Sequence, residues 1–219
     1  MPAPQVAAAQ RTLTAVLRPG DLALDATAGN GHDTAFLAQR VGPSGRVLAV
    51  DVQAEAVAAA AQRLRADGLA DRVDLRRADH ADLAELAPAS RRGRFRAAVF
   101  NLGYLPGQEG DRITRPATTL GALDATFRLL GPGGRLAVVA YPGHAGGEEE
   151  AEAVASWARS AAEAGHRVLA VGRWRRGLSP RAPRLSVIER IIRPDGPPEG
   201  IGEGCGDTEP GGTAQKREG

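Results

Sequence analysis

An aspartate followed by a glycine-rich turn is the first combination in this chain whose residue types could bind a ligand. The apolar run Leu22–Leu24 leads into Asp25-Ala-Thr-Ala-Gly-Asn-Gly-His-Asp33, and a helical pattern begins at Thr34. Glycines let a backbone approach a ligand closely, and a helix start presents free N–H groups. A carboxylate at Asp25 would repel a pyrophosphate but suits the positively charged amino acid end of S-adenosylmethionine (SAM). The turn therefore favours a SAM-dependent methyltransferase over a dehydrogenase, and the alternative is a tight connection without a ligand.

A second acid, Asp51, ends the next apolar run of the chain, Arg46–Val50. If the two runs are strands of a parallel sheet, Asp51 lies at its carboxyl edge, where open α/β sheets bind their ligands. An acid at this position can accept hydrogen bonds from the hydroxyls of a ribose. Asp51 therefore strengthens the prediction that the glycine turn binds a ligand that contains a nucleoside.

A third group of polar residues follows the apolar run Phe95–Phe100. It reads Asn101-Leu-Gly-Tyr-Leu-Pro-Gly107 and is similar to the Asn-Pro-Pro-Tyr element of methyltransferases that act on amino nitrogens. Methyl transfer needs a neutral nitrogen whose lone pair points at the methyl carbon. The amide oxygen of Asn101 could accept the N–H bonds of such an amine, and Tyr104 could stack on a base or face the developing positive charge. The alternative is an ordinary turn at the end of a strand.

Three of the four histidines follow predicted strands, namely His32, His80 and His144. Their spacing matches no zinc pattern and the body of the chain has no cysteine, so we predict no metal site. Asp79 and His80 are predicted to form a wall of an adenine pocket. His144 could contact the substrate or take its proton. His32 is as readily a structural histidine as a functional one.

The elements that must position these residues alternate along the chain. Apolar and β-prone runs predict strands at 22–25, 46–51, 73–77, 95–101, 135–141, 167–173 and 185–192. Helical patterns are found at 5–17, 33–41, 53–67, 81–86, 117–130 and 147–164, and Gly131-Pro-Gly-Gly134 is predicted to end the helix at 117–130. Strands that alternate with helices imply a parallel sheet, and the last two strands, with no helix between them, must pair antiparallel. We therefore predict an α/β, Rossmann-like fold of the class I SAM-dependent methyltransferase type, with a mostly parallel seven-stranded sheet, one antiparallel hairpin strand and helices on both faces.

The length of 219 residues, 42% of them hydrophobic, suits one globular domain, which we predict over residues 1–193. Residues 194–219 are rich in Gly, Pro and acids and are predicted to be a disordered tail. No apolar run is long enough to cross a bilayer, and the first residues lack the layout of a secretory signal. The lone Cys205 fits a reducing cytoplasm.

A group of arginines lies between Arg159 and Arg193, with few acids among them, although the formal net charge of the chain is only +2. Its members include Arg173, Arg175, Arg176, Arg181 and Arg184. These side chains either contact the phosphates of an RNA or form an ordinary solvated surface.

Four segments of the chain resemble a small bacterial family once labelled putative rRNA methylases. They are Asp25–Thr34, Phe100–Gly107, Thr118-Thr119 and Tyr141-Pro-Gly-His-Ala-Gly-Gly147. The resemblance implies a SAM-dependent N-methyltransferase that acts on the wobble position of tRNA. Its acceptor would be the 5-aminomethyl group of 5-aminomethyl-(2-thio)uridine, which becomes 5-methylaminomethyl. The implied partner is tRNA, bound through its anticodon stem-loop, with no membrane and no metal.

The resemblance also assigns residues to the two substrates. The residues that it implies for SAM are Asp25, Thr27, Gly29, Asn30, Gly31, His32, Asp33, Asp51, Gln53, Asp79, His80 and Asn101. The residues that it implies for the acceptor pocket are Asn101, Tyr104, Glu109, Asp111, Thr114, Tyr141 and His144. The catalytic residues among all of these are Asn101, Tyr104 and His144.

One segment departs from the family pattern. After Gly107 the family continues Gly-Asp-Lys or Gly-Asp-His, whereas this chain has Gln108-Glu-Gly-Asp-Arg112. Either Glu109 replaces the usual acid and the base is lost, or Asp111 and Arg112 serve after a local shift. Two other functions therefore stay open. One is methylation of another amine, in rRNA, protein or a small molecule, and the other is a non-catalytic RNA-binding protein of the same fold. A homodimer also stays open.

Overall fold

Strands and helices alternate through most of the chain in the computed structural model, which describes residues 3–103, 116–172, 179 and 181–191. The strands are β1 (Leu22–Asp25), β2 (Arg46–Asp51), β3 (Val73–Arg77), β4 (Phe95–Leu102), β5 (Leu130–Ala140), β6 (Arg167–Ala170) and β7 (Arg184–Glu189). The helices are α1 (Pro4–Thr14), α2 (His32–Val41), α3 (Ala54–Ala66), α4 (Leu83–Leu86), α5 (Pro116–Leu129) and α6 (Gly147–Glu163), with short 3₁₀ turns at Ala70–Arg72, His80–Asp82 and Ala89–Arg91.

Within the described residues these strands form one seven-stranded sheet in the order β3-β2-β1-β4-β5-β7-β6. The first five strands of the chain pair parallel with one another, and β7 pairs antiparallel with both β5 and β6. The order and directions confirm the predicted α/β fold. They also place the carboxyl ends of β1, β2 and β4 side by side at one edge of the sheet.

The start of β5 differs from the prediction, which took the four residues 131–134 as the end of a helix and began the strand at 135. In the structure α5 ends at Leu129 and β5 begins at Leu130. A side chain at Gly131 would come within 2.8 Å of the Gly93 carbonyl oxygen, so the absence of one allows the close approach of this segment to its neighbour. The Gly133 N–H donates to the Arg190 carbonyl at 2.7 Å. The glycines therefore extend the sheet here.

The core lies on both faces of the sheet, as predicted. One face packs α4, α5 and α6 against the strands, with Leu123, Phe127 and Trp157 among its buried side chains. The other face packs α1, α2 and α3, with buried Leu13 and Leu37. No helix within the described ranges is both long and apolar enough to span a bilayer. Residues 194–219 lie outside the described residues, and the extent of the domain over residues 1–193 stays a prediction.

Candidate functional site

The glycine turn between β1 and α2 lies directly against the ends of two neighbouring strands. The Ala28 N–H donates to the Val50 carbonyl at 2.8 Å. Gly29 and Gly31 have φ values of +50° and +78°, which side chains disfavour. A Cβ at Gly31 would lie 2.9 Å from the Ala60 Cα of α3. Only glycine therefore fits at position 31 without moving α3.

Asp51 ends β2 with its carboxylate held by two backbone donors. The Gly29 N–H donates to Oδ2 at 2.8 Å, and the Gln53 N–H donates to Oδ1 at 2.9 Å. Each carboxylate oxygen can accept more than one hydrogen bond, so both can still receive a hydroxyl. Gln53 immediately precedes α3, and its Oε1 is buried without a hydrogen-bond partner in the part of the chain that the structure describes. Such an unsatisfied acceptor fits a polar ligand that the protein binds here.

Asp25 lies beneath the turn and is fully buried. Its carboxylate accepts the Thr27 N–H at 3.1 Å and the Thr34 hydroxyl at 2.6 Å. Burial, and then the charge of Asp33, raise the pKa of Asp25 to about 7. These contacts show Asp25 supporting the turn from inside. The direct attraction to the amino acid end of SAM that the sequence suggests stays a prediction.

Asn101, near the end of β4, is joined to the glycine turn and to α2. Its backbone N–H donates to Thr27 Oγ1 at 2.7 Å. Its side-chain Nδ2 lies 3.4 Å from Asp33 Oδ2, at the long end of the hydrogen-bond range. Asp33 Oδ1 accepts the Nε2–H of Gln10 on α1 at 2.8 Å. The structure thus brings the predicted residues Thr27, Asp33 and Asn101 together.

Gln10 is absent from the sequence-based site. A signal for it exists, because Gln10 lies four residues after Val6 and three before Leu13, on the face of α1 that packs into the core. A polar residue on an apolar helix face needs a partner inside the protein. The sequence does not say that this partner is Asp33.

Tyr141 follows β5 and packs its ring over Gly103, where a Cβ would lie 3.1 Å from Tyr141 Cδ2. Burial and the nearby charge of Asp33 raise its pKa, and a hydrogen bond from Asn101 partly offsets that rise. Tyr141 therefore keeps its phenolic proton at neutral pH. It joins the group around Asn101, and the acceptor pocket that the resemblance implies for it stays a prediction.

Asp79 and His80 lie at the turn after β3 with different exposures. Asp79 is exposed, and its Oδ1 accepts the Ala81 N–H at 2.9 Å. His80 is buried, with its ring 5.8 Å from that of Phe100 in an edge-on arrangement. Burial lowers the pKa of His80, so the ring is neutral. His80 therefore lines the inside of this turn, and Asp79 faces outward.

His32 and His144 lie at two helix starts. The exposed His32 ring nitrogen Nε2 lies 3.2 Å from Nη2 of Arg63, whose Nε donates to the Asn30 carbonyl at 2.8 Å. His32 thus contacts, through Arg63, the outer side of the glycine turn. This contact favours a structural role for His32 over a functional one. The half-buried His144 packs on Gly147, where a Cβ would lie 2.9 Å from His144 Nε2. These contacts place His144 at the start of α6.

Several predicted residues lie outside the described residues, so the structure says nothing of their roles. In the acceptor pocket these are Tyr104, Glu109, Asp111 and Thr114, together with the whole segment 108–112 that departs from the family pattern. Of the residues that the resemblance implies for the acceptor pocket, the structure describes Asn101, Tyr141 and His144. Asp33, which the resemblance implies for SAM, contacts Asn101. Among the described residues there is no group of three or more His, Cys, Asp or Glu side chains that could hold a metal.

Most arginines of this group that the structure describes form ion pairs with glutamates. Arg159 pairs with Glu152 at 2.8 Å, and Arg167 pairs with Glu189 at 3.1 Å. Arg184 pairs with Glu148 and Glu152. Arg181 is exposed beside Gly143, where a Cβ would lie 3.7 Å from Arg181 Cβ. Arg173, Arg175 and Arg176 lie outside the described residues. The ion pairs favour a structural role for Arg159, Arg167 and Arg184.

Known proteins resemble this chain in sequence and in structure. The tRNA (mnm(5)s(2)U34)-methyltransferase, chloroplastic, of Arabidopsis thaliana is 41% identical over 147 residues, which are 64% of this chain and 53% of that protein. The chain thus spans about half the length of this relative. A putative methyltransferase from Streptococcus mutans, solved in complex with SAH, has a TM-score of 0.74 and 31% identity over 87% of this chain and 100% of that one.

A putative rRNA methylase from Clostridium thermocellum has a TM-score of 0.78 and 33% identity over 87% of this chain and 100% of that one. The family model described as Putative rRNA methylase matches residues 47–188. The match covers more than half of the chain, and it agrees with the resemblance seen in the sequence. This chain belongs to the family described as Putative rRNA methylase, and it has the fold of the class I SAM-dependent methyltransferases.

Proposed function

We propose that this chain is a SAM-dependent N-methyltransferase that converts the 5-aminomethyl group of the tRNA wobble (2-thio)uridine to 5-methylaminomethyl. The observation that carries the proposal is the bond between the Asn101 N–H and Thr27 Oγ1 at 2.7 Å. It fastens an amide acceptor for an amine to the turn that would hold a methyl donor. The Arabidopsis relative, which is named as a tRNA wobble-uridine methyltransferase, supports the same acceptor.

The residues around the turn fit SAM. Asp51 presents two oriented oxygens to the ribose hydroxyls, and Gln53 Oε1 is a buried acceptor that needs a donor. The exposed Asp79 would accept a hydrogen bond from the amino group of the adenine. When bound, SAM supplies a methyl group on a sulfonium carbon, where a nucleophile displaces the sulfur in line. The SAH complex of the Streptococcus mutans protein supports this assignment.

On the acceptor side the protein has to select and aim a neutral amine. A free aliphatic amine has a pKa of about 10.4, so most of it is protonated at neutral pH and has no lone pair to attack with. Asn101 Oδ1 accepts an N–H of the amine and turns its lone pair toward the methyl carbon. After transfer the new ammonium releases a proton to water, for which we propose His144 and Glu109 as relays. Tyr104 stacks on the uracil or faces the charge.

The test is a methylation assay with nucleoside analysis. The purified chain, SAM and tRNA that carries 5-aminomethyluridine at the wobble position should give a wobble nucleoside heavier by one methyl group in mass spectrometry. Asn101→Ala should give far less of it. Methylation only of rRNA, protein or a small molecule would replace the tRNA acceptor by another amine. Binding of tRNA with no transfer to any acceptor would favour a non-catalytic RNA-binding protein.

We further propose that residues 1–193 act as one domain in the reducing cytoplasm and that exposed arginines such as Arg181 contact phosphates of the anticodon stem-loop. Phosphate contacts make RNA affinity fall with salt. The lone Cys205 supports the compartment. A homodimer stays open, and the mass of the chain in solution, measured by light scattering, decides it.

A further inference from the structure

We propose that Gln10 and Asp33 are positioning residues that hold the Asn101 amide with its Oδ1 turned toward the acceptor amine. The proposal rests on the proposed function, because it explains how the acceptor side of that site is oriented. It comes from three elements that are distant in sequence. α1 carries Gln10, α2 carries Asp33 and β4 carries Asn101.

The chemistry of a carboxylate decides which way both amides point. An ionised carboxylate accepts hydrogen bonds and donates none, whereas an amide has an NH₂ end and an oxygen end. Gln10 Nε2 lies 2.8 Å from Asp33 Oδ1, and Asn101 Nδ2 lies 3.4 Å from Asp33 Oδ2. Both NH₂ ends must therefore face Asp33. The oxygen of Asn101 is at the other end of the group.

A second contact agrees with this orientation. The hydrogen bond between Asn101 and Tyr141 lowers the pKa of Tyr141, as expected when an N–H donates to the phenolic oxygen. An Asn101 amide with its NH₂ end toward Asp33 can also donate to the phenolic oxygen of Tyr141. No donor to Asn101 Oδ1 is found among residues 3–103, 116–172, 179 and 181–191. The oxygen is the end of this amide that can accept an N–H from a substrate.

The two supports of Asn101 differ in strength, and this gives Gln10 its role. Asp33 is buried, with an exposure of 7%, and the bond from Gln10 is short while the bond from Asn101 is long. Gln10 thus fixes the position of the Asp33 carboxylate, which in turn accepts the hydrogen bond from the Asn101 amide. α1 is in turn held by its apolar face and by the Arg135 Nη1 bond to the Thr12 carbonyl at 2.8 Å. The N-terminal helix therefore reaches the acceptor side of the site.

The variants Gln10→Ala and Gln10→Glu test the proposal, and Gln39→Ala is the matched control because Gln39 is exposed on α2. Gln10→Ala removes the donor to Asp33 and should lower kcat about tenfold, the effect of one hydrogen bond lost in the transition state. The Kd for SAM should be unchanged. Gln10→Glu should lower kcat further near neutral pH, because two acceptors then face each other. Its kcat relative to wild type should recover toward acid pH, where the introduced carboxyl group can donate.

A readout that does not depend on turnover separates this proposal from the proposed function. The side-chain amide signals of Asn101 can be assigned in a ¹H–¹⁵N NMR spectrum by their loss in Asn101→Ala. In wild type their hydrogens should exchange slowly with water, and in Gln10→Ala exchange should become faster. A wild-type protein that shows slow exchange but does not methylate 5-aminomethyluridine would overturn the proposed function alone.

Three results would overturn the positioning role. The first is exchange of the Asn101 amide that is equally fast in wild type and Gln10→Ala. The second is a wild-type kcat in both Gln10 variants. The third is a loss of SAM affinity as large as the loss of kcat, which would place Gln10 in support of the glycine turn. If Gln10→Ala does not fold, Gln10→Glu, which keeps the shape of the side chain, carries the same measurements.

Discussion

The glycine turn and the group around Asn101 lie side by side at one edge of the sheet, yet different kinds of bonds hold them. Under the proposed function the first would bind the methyl donor and the second the methyl acceptor. We therefore call Gly29, Gly31, Asp51 and Gln53 the donor half, and Gln10, Asp33, Asn101 and Tyr141 the acceptor half. In the donor half, backbone N–H groups orient the one carboxylate that would meet the ligand. In the acceptor half, side chains orient one another across three elements.

This difference separates binding from orientation. A carboxylate held by backbone donors keeps its direction as long as the strands are in place. A side-chain amide held by a second and a third side chain depends on each of them. We therefore expect changes in the donor half to affect SAM affinity and changes in the acceptor half to affect the rate of transfer.

The largest expected effect is that of Asn101→Ala on the rate. Without the amide the amine is no longer aimed, and kcat should fall by roughly a hundredfold or more. SAM binding should stay nearly intact, since only the side chain beyond Cβ is lost and the backbone bond to Thr27 remains. Single-turnover kinetics with SAM saturating, beside calorimetry of SAM binding, measures both. Wild-type turnover in this variant would remove Asn101 from the mechanism.

Asn101→Asp refines the same prediction. A carboxylate still accepts N–H bonds, but it stabilises the protonated amine, which cannot attack. Because the amine loses this proton as pH rises, the rate of Asn101→Asp should approach that of wild type at high pH. It would also place a second carboxylate against Asp33, which in the wild type lies 3.4 Å from Asn101 Nδ2. A pH profile parallel to that of wild type would contradict the role of the neutral amide.

Asp51→Ala should have the next largest effect, on SAM affinity. Hydrogen bonds to a charged group contribute about 1.5–3 kcal/mol each, so the Kd should rise tenfold or more. Asp67→Ala is the control, because Asp67 is exposed at the end of α3. Calorimetry on the folded variants measures both. An unchanged Kd in Asp51→Ala would remove Asp51 from the donor half.

A pair of glycine variants tests how tightly the donor half is packed. Gly31 and Gly68 have φ values of +78° and +66°, so alanine is strained at both. A Cβ at Gly31 meets Ala60 Cα at 2.9 Å, whereas a Cβ at Gly68 meets nothing within 4 Å. Gly31→Ala should therefore cost about 1–3 kcal/mol more than Gly68→Ala, the usual range for overpacking. Urea unfolding measures the difference, and equal costs would mean that α3 moves aside freely.

The smallest expected effect is the pH dependence of stability caused by Asp25. Its pKa is raised from 3.8 to about 7 on folding, so between these values the folded state holds a proton that the unfolded state has released. The stabilisation linked to that proton is complete below the unfolded pKa and is lost as pH rises through the folded pKa. From about pH 6 to about pH 8 the loss should be about 1 kcal/mol.

Asp25→Asn is the matched variant for this prediction. The oxygen of the neutral amide can accept the Thr27 N–H, and its NH₂ end can donate to Thr34 Oγ1, whose hydroxyl donates to Asp25 in the wild type. As pH rises from about 6 to about 8, the free energy of unfolding of the wild type should therefore fall relative to that of Asp25→Asn. A difference that stays constant over this range would show that Asp25 is ionised in the fold throughout.

Most of the fold was predictable because its signals are local. The bounds of β1 and β2 agree with the sequence, and helix starts and ends are off by at most a few residues. The start of β5 is wrong in the prediction, because Gly131 serves there for close approach to Gly93 rather than for ending a helix. A glycine in a sequence can indicate either the end of a helix or a close approach of two segments, and only the position of the neighbouring strand distinguishes the two.

By itself the sequence determined the alternation of strands and helices, the position of the glycine turn, and Asp51 and Asn101 as residues at the ends of strands. These follow from periodicity and from turn chemistry, which act over a few residues. The tertiary structure alone decided that Asp25 is buried beneath the turn and that Gln10 reaches Asp33, 23 positions away. Burial and long-range hydrogen bonds depend on which elements pack together in space, and no local pattern carries that information.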